Sequence, residues 1–188
     1  VVISITTATG TAGNADYTPV TTVITIPAGS TQTTVSVQTT EDTIDEPSET
    51  FTVGGVATSG NTSGPNPIGI GTIEDNDAAP TVSINNVFAT EGDLEVFTIS
   101  LSNPSTQDVV INLNTAPGTA IISDYTSIIN NTITIPAGQV SVTFNVPTTV
   151  DNIYEADEQF TLTGTVTSNN TSNNTATGTG TIGNDDAI

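Results

Sequence analysis

The sequence predicts an all-β protein made of two tandem antiparallel β-sandwiches of one design, the first lacking its N-terminal strand. Three observations carry this expectation. Apolar and polar residues alternate with period two in run after run, clusters of Gly, Pro, Asn and Asp break the runs about every ten residues, and the chain repeats itself. No window shows a helical period. The apolar fraction of 34% supplies a core, and a mean hydropathy of +0.02 argues against disorder despite the charge.

Val1-Val2-Ile3 opens as a strand, followed by Thr7-Ala8-Thr9-Gly10-Thr11-Ala12 and Asp16-Tyr17-Thr18. All three return 108 residues later as Val109-Val110-Ile111, Thr115-Ala116-Pro117-Gly118-Thr119-Ala120 and Asp124-Tyr125-Thr126. Thr25-Ile26-Pro27-Ala28-Gly29 returns 109 residues later as Thr134-Ile135-Pro136-Ala137-Gly138, and Gly71-Thr72-Ile73 as Gly180-Thr181-Ile182. The two Pro-Ala-Gly triplets are tight turns. The copies meet near Asp77-Ala78-Ala79-Pro80, so the expected modules are residues 1–79 and 80–188. From Thr81 the second copy carries about 28 residues that the first lacks at its front, and the chain reads as a piece of a longer polypeptide. Within the second copy four rows place one face inward: Phe97, Ile99 and Leu101; Val109, Ile111 and Leu113; Val140, Val142, Phe144 and Val146; Phe160, Leu162 and Val166. Thr161, Thr163, Thr165 and Thr167 fill the opposite face of the last, as Thr does on ordinary exposed strands. About seven strands per complete module satisfy the pattern best as two packed sheets.

Twenty Asp and Glu face no Lys, Arg or His, a formal charge of −20. Nucleic-acid binding and polybasic membrane attachment both need cationic side chains, so neither a nucleic-acid partner nor direct membrane contact is expected. Without His, Lys or Cys, nucleophilic catalysis has no base, amine or thiolate, and no enzyme is expected. Several Asn-x-Ser/Thr triplets, at Asn61, Asn130, Asn169, Asn170 and Asn173, are of the kind that so Asn- and Thr-rich a composition produces by itself.

Seventeen of the 20 acids fall in five short clusters between the expected strands: Glu41 to Glu49, Glu74 to Asp77, Glu91 to Glu95, Asp151 to Glu158, and Asp185 with Asp186. Asp42, Glu46 and Glu49 ahead of Phe51 match Asp151, Glu155 and Glu158 ahead of Phe160. Two carboxylates about 5 Å apart repel by roughly 1 kcal/mol in water and about 3 kcal/mol at an effective dielectric of 20. With no cationic side chain available, a bound cation offsets this near neutrality. Carboxylates and carbonyls without His or Cys make a hard oxygen site, suited to Ca²⁺. Solvated loops kept acidic for solubility are the alternative.

The set Gly-Thr-Ala, Asp-Tyr, Ile-Pro-Ala-Gly, Asp-x-x-x-Glu-x-x-Glu-x-Phe and a final Gly-Thr-Ile followed by acids resembles the Calx-β domains in both copies. The resemblance implies a seven-stranded immunoglobulin-like sandwich that binds Ca²⁺ at one tip. It implies as second-module ligands Glu91, Asp124, Asp151, the Ile153 carbonyl, Glu155, Glu158, Asp185 and Asp186. In the first module it implies Asp16, Glu41, Asp42, the Ile44 carbonyl, Glu46, Glu49, Asp75 and Asp77, with Asn76 a weaker ligand. Val150 stands in place of Glu41 and Asn184 in place of Asp75, so fewer ions are expected in the second module. The first has no counterpart of Glu91. Tyr17 and Tyr125 are expected to pack beside the sites, and Phe51 and Phe160 to anchor the cores.

Asp75 and Asp77 lie just ahead of Thr81, so an ion held there would pin the joint between modules. The expected function is that of a calcium-binding repeat region in a large extracellular protein, a bacterial cell-surface adhesin serving adhesion, gliding motility or biofilm formation. Its expected partners are Ca²⁺, neighbouring modules of the same chain and a host or environmental surface. Absence of Lys and Arg, which leaves trypsin-like proteases no cleavage site, fits that setting. Two alternatives stand beside it. One is a regulatory calcium sensor of a membrane transporter, a role that Calx-β pairs have in sodium/calcium exchangers. The other is a Ca²⁺-dependent glycan-binding module, for which zero Trp and three Tyr leave little stacking surface.

Overall fold

The structure, a computed structural model, describes residues 1–60 and 62–187; the Asn61 triplet lies outside them. The described residues form strands and turns without a helix, and they divide into two compact units. One comprises Val1–Asp42 and Pro47–Asn76, the other Thr43–Glu46 and the chain from Asp77 onward.

In the first unit, β1 (Val2–Thr9), β2 (Thr21–Thr25), β3 (Glu49–Ala57) and β4 (Ile68–Ile73) form one antiparallel sheet in the order β2-β1-β3-β4. Its core is small: Tyr17 stacks on Phe51 with ring centroids 4.5 Å apart, beside Ala12, with Val37, Val53 and Ile73 packed around them. A second sheet is missing among the described residues. The reason lies in residues 32–38, the counterpart of residues 141–147 in the second unit. There residues 141–147 pair only with residues 94–101, for which residues 1–76 hold no counterpart, and residues 32–38 form no strand.

The second unit holds both sheets. Strands β5 (Val82–Ile84), β7 (Leu94–Leu101) and β10 (Ser141–Pro147) form a three-stranded sheet in the order β10-β7-β5. Strands β6 (Val87–Thr90), β8 (Val109–Pro117), β9 (Asn131–Ile135), β11 (Glu158–Val166) and β12 (Thr175–Gly183) form the other, in the order β6-β12-β11-β8-β9. All pairings are antiparallel except β6 with β12, which is parallel. Eight strands stand where about seven were expected because the first strand is broken. Asn85 Oδ1 accepts the Thr98 N–H of β7 at 2.6 Å, and Asn86 Oδ1 accepts the Thr179 N–H of β12 at 2.9 Å. Two adjacent amides thus hand the chain from one sheet to the other.

Phe97, Ile99 and Leu101 of one sheet face Val109, Ile111, Leu113, Ile135, Phe160 and Leu162 of the other, all buried, as period-two alternation requires. Phe160 stacks on Tyr125 at 4.2 Å and meets Phe97 edge-on at 6.0 Å. Gly180 leaves room for this ring, since a Cβ there would come within 2.6 Å of it. Val140, expected in the inward row of β10, instead precedes the strand and is exposed, its carbonyl accepting the Leu101 N–H. The inward row of β7 also begins earlier than expected. Glu95, grouped by sequence with an acidic loop, lies inside the strand two residues before Phe97, and period two turns it into the core with no exposed surface.

Candidate metal centre

Asp16 and Asp124 each follow a tight turn and close it the same way. One oxygen of Asp16 accepts the Gly13 N–H, and Asp124 Oδ2 accepts the Ile121 N–H at 2.6 Å. The Tyr that follows each is buried and stacked on the core Phe, as expected, which fixes the turn beside the start of β3 or β11. Glu49 and Glu158 are the first residues of those strands, not loop residues, so their side chains lean back toward the Asp turn.

In the second unit two groups of three carboxylates converge. One oxygen from each of Asp124, Glu155 and Glu158, and one from each of Glu91, Asp185 and Asp186, lie within 4.8 Å of one another inside each group. A small cavity lined by Glu91, Asp124, Asp151, Glu155 and Glu158 draws members of both groups to one place. Asp151 stands at that cavity and accepts the Ile153 N–H at 2.7 Å, while the Ile153 side chain is exposed.

The electrostatics of this end call for positive charge. Desolvation pushes the Glu158 carboxyl up to about 7, helped by a hydrogen bond to Asp124 and by the charges of Asp124, Glu155 and Glu91. Desolvation also raises Glu91. The backbone N–H of Asp151 acts the other way, and the charges of Asp185, Asp151 and Asp186 add to the rise. Glu91 Oε2 and Asp186 Oδ2 are buried without a hydrogen-bond partner, which is costly for an ionised oxygen unless a cation or proton meets it. All-oxygen donors, converging in threes with orphaned lone pairs, fit a hard divalent ion.

In the first unit the carboxylates of Asp16 and Glu49 approach within 4.8 Å. Glu41 accepts a 3.1 Å hydrogen bond from the Asn76 amide, so Asn76 serves it as a donor. Asp42 and Asp75 are exposed and Ile44 is half-buried; Glu46, like Ile44, falls in the segment 43–46 that groups with the second unit, as does Asp77.

Sequence reasoning treated Asn184 as the loss of a ligand, whereas the structure shows it as a tie. Its Oδ1 accepts the Glu155 N–H at 3.0 Å and its Nδ2 donates to the Asp186 carbonyl at 2.8 Å, fastening the acidic loop to the acidic C-terminal segment. Replacing Asn184 by Ala should cost about 1 kcal/mol of stability and loosen the convergence of Glu155 with Asp124. Isothermal calorimetry should then show Ca²⁺ affinity reduced several-fold; unchanged affinity and stability would remove Asn184 from this role.

None of the curated proteins compared with the chain matches it. Among solved structures, one titled "Crystal structure of CBD12 from CALX1.2" is 15% identical and aligns with 90% of this chain and 70% of its own length, at a TM-score of 0.43. Another, titled "Crystal structure of Apo-form Calx CBD1 domain", is 15% identical over 56% of this chain and 98% of its own, at a TM-score of 0.45. The Calx-beta domain family matches residues 1–66 and again 75–186. With both copies matched, this chain belongs to the Calx-β domain family, as a tandem pair.

Proposed function

We propose that the chain is a calcium-binding repeat region of a large extracellular protein, a bacterial cell-surface adhesin, in which Ca²⁺ stiffens the succession of modules 1–79 and 80–188. One observation carries the calcium reading: six carboxylates of Glu91, Asp124, Glu155, Glu158, Asp185 and Asp186 gather in two groups in a chain without a single cationic side chain. Asp151 and the Ile153 carbonyl complete the second-module ligand set, while Asp16, Glu41, Asp42, the Ile44 carbonyl, Glu46, Glu49, Asp75 and Asp77 serve the first. The bound ion supplies the positive charge that these groups lack; the protein's own part is to hold the carboxylates together through the Asp124 turn and the Asn184 tie. Extracellular placement is supported by the lack of trypsin-type cleavage sites, and no enzymatic role is proposed.

Titrating Ca²⁺ while following Tm tests the reading. At 100 times Kd, each site should add about 2.7 kcal/mol, and chelation should reverse it. No change in Tm in either direction sinks the calcium assignment. The affinity also separates the adhesin from the transporter-sensor reading: a Kd of roughly 10⁻⁴ to 10⁻³ M suits an extracellular module, and one below about 10⁻⁶ M suits a sensor.

A further inference from the structure

Five apolar side chains stand around the acidic end of the second unit: Ile121, Ile122, Val150, Ile153 and Tyr154, each between 55% and 72% exposed. They sit on the two loops that carry Asp124, Asp151 and Glu155. These loops run side by side, since Tyr125 bridges to Thr148 and the Thr149 N–H donates to the Asp124 carbonyl at 2.8 Å. The same positions of the first copy, at the repeat offsets, are Gly13, Asn14, Glu41, Ile44 and Asp45. One of five is apolar there, so the module does not need apolar residues at these places to fold. Single exposed apolar residues are ordinary. Five gathered on the carboxylate-bearing loops of a chain of charge −20 are not.

We propose that in the presence of calcium this end of the second unit docks on a lipid surface with anionic headgroups. The apolar tips enter the headgroup boundary and the ion stands between carboxylates and lipid phosphates. The inference rests on the calcium reading above. Absence of Lys and Arg closes the polybasic route to a membrane but leaves this one open, because the ion replaces the missing cations. A protein groove that took these tips would have to bury Asp151 beside them, at a high desolvation cost. The interfacial layer of a bilayer accepts apolar side chains to a shallow depth while keeping neighbouring charges hydrated. Tyr154, an apolar ring with a polar tip, suits that layer.

The test is co-sedimentation of the 188-residue chain with phosphatidylcholine vesicles containing phosphatidylglycerol, in calcium and in chelator. At least about tenfold more protein should pellet with calcium. The double variant Ile122→Ser, Tyr154→Ser should lose roughly tenfold in vesicle binding while keeping the calcium-induced rise in Tm, because neither residue is among the proposed ligands and both side chains are exposed in the free protein. Three results overturn the proposal: a calcium-raised Tm with no vesicle binding, vesicle binding that the double variant leaves intact, or calcium-driven self-association of the chain in place of vesicle binding. Absence of any calcium effect on Tm would sink the underlying calcium reading, and this inference with it.

Discussion

Replacing Glu95 by Leu should raise the stability of the second unit at pH 8 by about 3 kcal/mol. The carboxyl has no exposed surface, and neither oxygen has a hydrogen-bond partner. Its cross-strand neighbour is Val146, and Gly180 and the Phe160 ring lie over it, so nothing charged faces it from these strands. Burial therefore pushes its pKa from 4.5 up to about 7, against a small opposite pull from the backbone N–H groups of Ala89 and Thr181 that fall short of hydrogen-bond geometry. The folded state thus holds this proton after the unfolded chain has released it. Stability from this group is whole below about pH 4.5, declines as pH rises, and is lost above about 7. Glu95→Gln should remove this fall, so that the variant's stability declines less than wild type's across that window, and Leu should in addition remove the cost of the polar group. Chemical denaturation from pH 4 to 8, in chelator throughout, checks it. Equal pH profiles for wild type and Glu95→Gln would show that the carboxylate finds water or a partner in solution.

Phe160→Ala should be the most damaging single change, at about 4 kcal/mol. The ring is fully buried, stacks on Tyr125, meets Phe97 edge-on and packs over Gly180, so truncation leaves a cavity bordered by both sheets. A domain of this size has roughly 5–15 kcal/mol in total, so the melting temperature should drop on the order of 20 °C. The effect reaches the metal centre, because Tyr125 loses the surface that holds the Asp124 turn. Phe51→Ala, in a unit whose ring contact is the single stack on Tyr17, should cost clearly less. Calorimetry of the two variants gives the comparison, and a loss under about 1 kcal/mol for Phe160→Ala would mean that the core closes around the gap.

Much of this was legible in the residues themselves. The offset repeat located the modules' matching turns, and period two located the inward rows of β7, β8 and β11, because alternation on a half-buried strand leaves a direct trace in the sequence. Glu95 was readable by the same rule and escaped it, since its proximity to Glu91 and Asp93 suggested a loop. The crossing at Asn85–Asn86 was not readable: two amides that bond different sheets look in sequence like any turn. Nor was the tie made by Asn184, whose role depends on which backbone groups lie across from it. The missing second sheet of the first unit follows from a partner strand that residues 32–38 lack, a non-local fact that their own alternation does not carry.

The parallel pairing of β6 with β12 has a mechanical consequence. The second half of the broken first strand and the last strand of the second unit are neighbours that run the same way, Gly180 to Gly183 alongside Val87 to Thr90. Tension applied to the two ends of that unit therefore pulls the neighbours past each other lengthwise, and their hydrogen bonds bear the load together instead of parting one by one like a zip.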